Sequence, residues 1–494
     1  MVVFMSAYQK PLALLIDQLC EKSAILPVVE ILHVANNSRD IVKGSLFLAY
    51  HGEKSDGRHY IADAIAQGAV AICYEPSDDF ILPLTVIPCV AIKNLKTKQS
   101  TIAARFYDFP SAKVSVIGVT GTNGKTSITH FIAQCLAHCG VIGTIGYGSL
   151  SSLIKTENTT PDGLKIQKIM AELIDQKIKT IAMEVSSHAL SQQRVNDVLF
   201  HTGVFTNLTQ DHLDFHGSMD TYRDAKALLF QRPNLKHAVI NIDDAAGKFF
   251  VERYCSHIDL LTYSLHDKQA DLFVEKYTPT QAGFDVVVKS PWGSGAFHLS
   301  LIGEFNIYNV LAVLGVLGIF KMPFEKILHQ LSQLKTVDGR MQLLRRENKP
   351  AVVVDFAHTP DALEKALQSL RTHCDGKLIC IFGCGGDRDK TKRSIMGKIA
   401  EQYADYVIIT NDNPRSENPE AIARDILQEV KSKNKFEVEL DRVMAIQKAI
   451  QLAKKADWIL VAGKGHETEQ IIGNKKWHHH DADCVTALLD AELR

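Results

Sequence analysis

Val114-Ser-Val-Ile-Gly-Val-Thr-Gly121-Thr-Asn-Gly124-Lys125-Thr126-Ser127 runs from a β-branched stretch through three spaced glycines into Lys-Thr-Ser, and the helical pattern Ile128 to His138 follows. A short apolar, β-branched run bounded by a glycine turn reads as a strand buried in a parallel sheet. Strand, glycine loop and helix together form a phosphate cradle, because glycines let backbone N–H groups approach phosphate oxygens and the helix start adds partial positive charge. Gly121, Thr122, Asn123, Gly124, Lys125, Thr126 and Ser127 are therefore the expected ATP contacts, with Lys125 reaching the β/γ-phosphates and the Thr126 hydroxyl on Mg²⁺. A chance glycine turn would not need both the preceding strand and the Lys-Thr ending. The general motif has a glycine five positions before Gly124, where this chain has Val119. The spacing G-x-x-G-x-x-G-K-T marks a subclass of ATPases.

On either side of this segment the 494 residues divide by pattern into three regions, an expected α/β fold of three domains. Residues 1–111 mix short strands and helices, such as Ser45 to Ala49 and Ile61 to Gln67, and end at the Pro110-Ser111 turn. Residues 112–337 form a central P-loop ATPase with a mostly parallel sheet. Residues 338–494 form a Rossmann-like α/β domain. Hydrophobic residues make up 46%, enough for several cores, and the net charge of −1 gives no reason to expect nucleic acid or an anionic membrane as partner. No apolar run reaches the roughly 18 residues of a bilayer span, and the first residues lack a signal-peptide pattern. The ten cysteines are scattered, as in a reducing, cytoplasmic setting. His478, His479, His480 and Cys484 match no zinc spacing and read as a surface loop.

The last region shows its logic most openly. Apolar strands are expected at 351–354, 378–382, 406–410 and 458–462, the first three followed by helical patterns. Alternating strands and helices make a parallel sheet, and ligands bind beyond the carboxyl ends of its strands. Those ends carry Asp355-Phe-Ala-His358, Gly383-Cys-Gly-Gly-Asp-Arg-Asp389, Asp412-Asn-Pro-Arg415 and Gly463-Lys-Gly-His-Glu467. All four are polar, which points to a site. The glycines from Gly383 do not complete a dinucleotide fingerprint, since Arg388 occupies the third glycine's place.

With the phosphate loop, the segments Asn158-Thr-Thr-Pro161, Glu184-Val-Ser-Ser-His188, Thr206-Asn-Leu-Thr-Gln-Asp-His-Leu-Asp214, Tyr222-Arg-Asp-Ala-Lys226, Gly339-Arg340, His358-Thr-Pro-Asp361, Gly385-Gly-Asp-Arg388, Asp412-Asn-Pro-Arg415 and Gly463-Lys-Gly-His-Glu467 occur in an order that resembles the Mur ligase family across nearly the whole chain. The resemblance implies a ligase of peptidoglycan precursor synthesis. ATP would phosphorylate the free side-chain carboxylate of D-glutamate in UDP-N-acetylmuramoyl-L-alanyl-D-glutamate, and the amine of meso-2,6-diaminopimelate would attack the acyl phosphate. It further implies Mg²⁺ held by Thr126, Glu184, His212 and Lys226. Glu184 also stands directly after the apolar run Thr180 to Met183, where a carboxylate of the Walker-B kind belongs. On spacing alone Lys226 is a solvated helix lysine, but the family match makes it a carbamylated metal ligand. The catalytic set implied is Lys125, Glu184, His212, Lys226, Arg340 and Asp355. Asn306 and Arg340 join the ATP contacts, Arg340 acting like an arginine finger after domain closure.

The uridine-linked substrate is expected at Asn36, Ser38, Glu53, Lys54 and Ser55, with Asn158, Thr159, Thr160, Ser186, Gln192 and Arg194 on its sugar-peptide part. Asn36 departs from the apolar residue frequent in the family. Diaminopimelate is expected at Arg388, Asp412, Asn413, Pro414, Arg415, Gly463 and Glu467. Arg415 can pair bidentately with the distal carboxylate that distinguishes diaminopimelate from L-lysine. An L-lysine-adding ligase and a folylpolyglutamate synthase are the neighbouring readings, and a catalytically silent scaffold the non-enzymatic one. A cytoplasmic monomer is expected, with no membrane insertion.

Overall fold

The computed structural model describes residues 8–20, 28–52, 55–280 and 282–491, which form two compact units. The first unit comprises the chain up to residue 240 with 244–260, and the second comprises 241–243 with everything after 260.

The first unit contains two larger sheets and the short antiparallel pair Lys10–Pro11 and Glu30–Ile31. Strands His33–Ala35, Ser45–Ala49, Ala69–Tyr74 and Cys89–Ala91 pair in parallel in chain order. Alternate side chains of a strand point to opposite faces. Leu46, Leu48, Ala71 and Cys73 accordingly pack with helices Leu12–Ile16 and Leu95–Phe106, while Phe47, Ala49 and Ile72 pack with Ile61 and Ala64. In the other sheet the parallel order is Cys139–Ile142, Thr180–Glu184, Ser115–Thr120, Phe200–Phe205, His237–Asn241. The antiparallel ribbon Tyr147–Ser149 and Ser152–Ile154 lies beyond Cys139–Ile142. The chain leaves Ser115–Thr120 toward one side, returns, and then adds strands on the other. That reversal makes the carboxyl end of Ser115–Thr120 a topological switch point, the place where open α/β sheets bind ligands.

In the second unit, strands Leu272–Thr280, Gly283–Ser290 and Gly293–Leu299 form an antiparallel meander. Helices Phe305–Ile319 and Phe324–Ser332 follow it in the chain. The six-stranded sheet has the order Gln342–Leu344, Ala351–Asp355, Trp458–Ala462, Leu378–Phe382, Tyr406–Ile409, Phe436–Val438, and only the first strand is antiparallel. One face packs on helices Pro360–Arg371, Lys392–Tyr403 and Pro419–Leu427, and the other on Arg442–Leu452 and Asp481–Asp490. The four strands expected from sequence are present. The two edge strands, the meander and the hairpin Glu469–Ile472/Lys475–His478 are additions. No described helix is long and apolar enough to cross a membrane.

The histidine run departs from the surface-loop expectation. His478 ends the hairpin and is exposed, but His479 is buried with its Nε2 2.7 Å from Asp481 Oδ1. The helix Asp481–Asp490 draws this segment onto the sheet, and that packing depends on residues far away in sequence.

Candidate active site

At the switch point the phosphate loop is held by the segment after the next strand. Thr122 N donates to Asn207 O at 2.8 Å, Asn123 N to Asn207 Oδ1 at 3.0 Å, and Thr206 Oγ1 to Asn123 O at 2.6 Å. Thr122 Oγ1 lies 3.2 Å from both Thr209 O and Tyr222 Oη. Gly121 has φ +148°, and a Cβ there would collide with the Thr206 hydroxyl, so this close approach requires glycine. Gly124, with φ +87°, precedes the helix Lys125–Cys135. Lys125 Nζ folds back onto Gly121 O at 2.8 Å and Thr122 O at 2.7 Å, which places the ammonium at the loop mouth. Ser127 is buried in the first turn of that helix.

Glu184 closes its strand with 1% of its surface exposed. Its Oε2 accepts from Thr126 Oγ1 at 2.9 Å and Thr144 Oγ1 at 3.1 Å, and its Oε1 from Thr144 N at 2.7 Å. A side chain at Gly143 would strike this carboxylate. Around it, Thr159 Oγ1 lies 3.1 Å from Thr144 Oγ1, Thr160 Oγ1 donates to Glu184 O at 2.8 Å, and Arg194 Nη1 donates to Thr160 O at 2.8 Å. Arg194 Nε also holds Gln192 Oε1 at 2.8 Å, Ser186 caps the next short helix, and Asn158 is exposed. The structure thus brings together Lys125, Thr126, Glu184, Thr159 and Thr160, and adds Thr144. Nothing in the local sequence separated Thr144 from an ordinary turn threonine.

Thr126 and Glu184 offer adjacent hard oxygen donors, which suit Mg²⁺. Among the described residues no group of three His, Cys, Asp or Glu side chains is placed to hold a metal. A cation here needs phosphate or water oxygens as well, as Mg²⁺ sites of nucleotide enzymes usually do.

Lys226, in the helix Met219–Ala227, is 1% exposed, with Nζ 4.2 Å from the centre of the Tyr222 ring. Burial, reinforced by the Lys125 charge, lowers its pKa well below the ordinary lysine value. A solvated helix lysine would show none of this. His212 adopts φ +52° at the start of a short helix and stands edge-on to His188 at 4.8 Å between ring centres. Burial lowers the His212 pKa, which favours the neutral imidazole.

In the first sheet region Asn36 Nδ2 donates to Gln99 Oε1 at 3.0 Å, Tyr50 Oη at 3.2 Å and Asp162 Oδ1 at 3.4 Å. Its amide fixes the strand end to two helices. Ser38 opens a turn capped by Asn37, and Ser55 is exposed. Glu53 and Lys54 lie outside the described residues.

Asn306, Arg340 and Asp355 belong to the second unit, whereas the phosphate loop belongs to the first. Asn306 is buried, its Nδ2 on Ile302 O at 2.8 Å and its Oδ1 on Asn309 Nδ2 at 2.9 Å. The Arg340 guanidinium lies 4.7 Å from the centre of the Phe356 ring. Asp355 Oδ2 accepts from Met341 N at 2.7 Å, and burial raises its pKa against the pull of Arg340.

Beyond the parallel strands of the six-stranded sheet a charged cluster forms. Arg415, with φ +51°, donates from Nη1 to Gly386 O at 2.6 Å, and its backbone N reaches Ile471 O at 3.1 Å. Pro414 is buried beside it and Arg388 is exposed. Asn413 Nδ2 donates to Glu467 Oε2 at 2.9 Å, and its Oδ1 accepts from Ile471 N at 2.8 Å and Lys464 Nζ at 3.2 Å. Lys464, 0% exposed, donates to Glu467 Oε2 at 2.7 Å. Gly463 has φ +113° and faces Asp412, whose pKa is raised by burial while Arg442 and Lys464 pull it down. Lys464 and Arg442 were missed as site residues. Lys464 stood inside a quoted motif, but no local pattern signalled its burial.

Three family models match successive parts of the chain: Mur ligase family, catalytic domain, over 30–112; Mur ligase middle domain over 119–317; and Mur ligase, glutamate ligase domain, over 339–465. The chain belongs to the Mur ligase family. Among Mur ligases, it is 48% identical over 482 residues to the UDP-N-acetylmuramoyl-L-alanyl-D-glutamate–2,6-diaminopimelate ligase of Coxiella burnetii, covering 96% of this chain and 98% of that one. The ligase of the same name from Pseudomonas aeruginosa is 45% identical, covering 92% and 94%. A solved Mur ligase structure, again of a UDP-N-acetylmuramoyl-L-alanyl-D-glutamate–2,6-diaminopimelate ligase, aligns with TM-score 0.71 and 32% identity over 98% of this chain and 99% of its own.

Proposed function

We propose that this Mur ligase joins meso-2,6-diaminopimelate to UDP-N-acetylmuramoyl-L-alanyl-D-glutamate at the expense of ATP, through an acyl phosphate, in peptidoglycan precursor synthesis. The observation that carries the choice of substrate is the charged cluster of Asp412, Arg415, Lys464 and Glu467, which offers groups of both signs, as diaminopimelate carries charges of both signs. Its carboxylate partner is Arg415, with Arg388 as a second cation, and its ammonium partners are Asp412 and Glu467. Asn413, whose amide is committed to Glu467, Lys464 and Ile471, shapes this site, together with Pro414 and the close approach at Gly463.

The chemistry brings two anions together, so cations must offset their repulsion. Lys125 leaves its two carbonyl partners for the β/γ-phosphates, and the N–H groups from Gly124 to Ser127 at the helix start hold the remaining oxygens, while the Thr122 and Asn123 N–H groups keep the loop's shape through Asn207. Mg²⁺ bound at Thr126 and Glu184 would screen the phosphate charge. Thr144 keeps the Glu184 carboxylate turned toward Thr126. Lys226, a buried amine with a lowered pKa, is suited to take up CO₂ as a carbamate, losing a proton and becoming an anionic oxygen donor. His212 is a neutral nitrogen donor near it. Arg340 and Asp355 serve the nucleotide, and Asn306 meets it by exchanging its bond to Ile302.

The uridine-linked substrate is assigned to Asn36, Ser38 and Ser55, with Glu53 and Lys54, and its peptide part to Asn158, Thr159, Thr160, Ser186, Gln192 and Arg194. The working domains are 1–111, 112–337 and 338–494, a division supported by the separate sheets in 33–91 and 342–462. A cytoplasmic monomer acting without nucleic acid or membrane insertion completes the reading.

The test is phosphate release by the purified protein with ATP, Mg²⁺ and UDP-N-acetylmuramoyl-L-alanyl-D-glutamate. Release with meso-diaminopimelate and not with L-lysine is expected. Preference for L-lysine would overturn the role of Arg415.

A further inference from the structure

The buried histidine of the His478–His480 run belongs to a chain of contacts that ends beneath the amino-acid loops. His479 Nε2 lies 2.7 Å from Asp481 Oδ1, and the Asp481 carboxylate receives Arg442 Nε and Nη2, each at 2.7 Å. Neither the Arg442 nor the Asp481 side chain exposes any surface. The guanidinium is thus held bidentately, which fixes its plane. Two of its three other hydrogens go to backbone carbonyls: Nη2 donates to Ala462 O at 2.9 Å and Nη1 to Asn411 O at 3.4 Å.

Those carbonyls immediately precede Gly463 and Asp412. Ala462 ends one strand and Asn411 follows another by two residues, and these strands are not neighbours, because Leu378–Phe382 lies between Trp458–Ala462 and Tyr406–Ile409. No ladder hydrogen bond can set the spacing of these two strand ends directly. Arg442 reaches both from beneath. It is the first residue of the helix Arg442–Leu452, where a cation opposes the helix dipole, so helix stability does not explain the arginine. Nor does a buried ion pair, which contributes little to stability compared with apolar residues of similar volume.

We infer that Arg442, gripped by Asp481 and His479, is a positioning residue for the incoming amino acid: it sets the spacing of the Asp412–Arg415 and Gly463–Glu467 loops and places a buried positive charge behind Asp412. The inference rests on the reading of those loops as the amino-acid site. Above the fork Asn413 bonds directly to Glu467, Lys464 and Ile471, and the fork adds a rigid tie beneath them that fixes the two strand ends on which Asp412 and Glu467 are carried. A lysine keeps the charge but cannot grip a carboxylate and two carbonyls in one plane.

The experiment is steady-state kinetics on the full chain, with each substrate varied in turn. The variants are Arg442→Met with Asp481→Leu, which replaces the pair by apolar groups, and Arg442→Lys, which keeps the charge. Outer groups that orient a binding side chain typically contribute about 10–100-fold. The KM for meso-diaminopimelate should therefore rise by about tenfold or more in both variants, with the KM values for ATP and the uridine-linked substrate within about twofold of the parent. A general loosening of the fold would move all three together. If a folded variant of either kind keeps the parent's KM for meso-diaminopimelate, or if all three KM values rise alike, the positioning role is overturned. Should the parent chain itself not use meso-diaminopimelate, the reading of the loops fails first, and the inference fails with it.

Discussion

On the proposed reading, the phosphate loop and the amino-acid loops solve the same problem, anion recognition, in opposite ways. The first is a single contiguous segment whose donors are backbone N–H groups and one lysine, with its shape set by glycines at Gly121 and Gly124. The second gathers polar and charged side chains from separate strand ends and bonds them to one another, as Lys464 bonds to Glu467 in its own loop and to Asn413 in the other. A backbone cradle reads a phosphate wherever it is presented. A side-chain cluster discriminates between ligands, because a wrong ligand leaves a buried charge unpaired.

The largest effect expected on this contrast comes from Glu184→Gln. The amide keeps the shape but loses the charge beside Thr126, and kcat for phosphate release should fall by about 10³-fold, the scale of losing one preorganised electrostatic group. A rate within a few-fold of the parent at saturating ATP would detach Glu184 from the chemistry.

Next in size is Arg415→Lys. With only a point charge to offer the distal carboxylate, kcat/KM for meso-diaminopimelate should drop by about 10²-fold while KM for ATP stays put. Competition between meso-diaminopimelate and L-lysine reads the preference directly, and an unchanged ratio would move specificity elsewhere in the cluster.

Lys226 tests whether burial in the first site carries a charge cost. Its pKa is lowered in the folded chain, so between that value and the ordinary lysine pKa the unfolded chain binds the extra proton. Stability then rises with pH across this window and is lost as pH falls through it, with a slope of at most about 1.4 kcal/mol per pH unit. Denaturant unfolding between neutral and alkaline pH in CO₂-free buffer should show that slope, and Lys226→Met should remove it. Identical slopes in the two proteins would mean the amine is not desolvated.

Thr159→Val should matter least. It removes the hydroxyl beside Thr144 and should destabilise the fold by about 1 kcal/mol, leaving kcat at saturating substrates within a few-fold, with any loss falling on KM for the uridine-linked substrate. A loss comparable with that of Glu184→Gln would show that the threonine network, and not the carboxylate alone, forms the site.

Much of this was readable beforehand, for identifiable reasons. The strand–loop–helix around Lys125 is local, and glycine spacing, β-branching and the Lys-Thr ending all report on near neighbours in the chain. The parallel strands of the last sheet announced themselves as apolar runs of the right length. The meander of strands between Leu272 and Leu299 did not, because its strands alternate exposed and buried residues and carry charges on the open face. Thr144, Lys464 and Arg442 were overlooked as single residues because each acquires a partner from a segment far off in the sequence, Glu184, Asn413 and Ala462 respectively.

From its sequence alone the chain determines the phosphate loop, the order of its motifs and the alternation of strand and helix, since these depend on contacts within a few residues. Tertiary structure alone decides the burial of Lys226, the commitment of Asn413 to Glu467, and the insertion of Trp458–Ala462 between two earlier strands. Charge states and hydrogen-bond partners follow desolvation, and desolvation is set by whichever distant segments pack against a side chain.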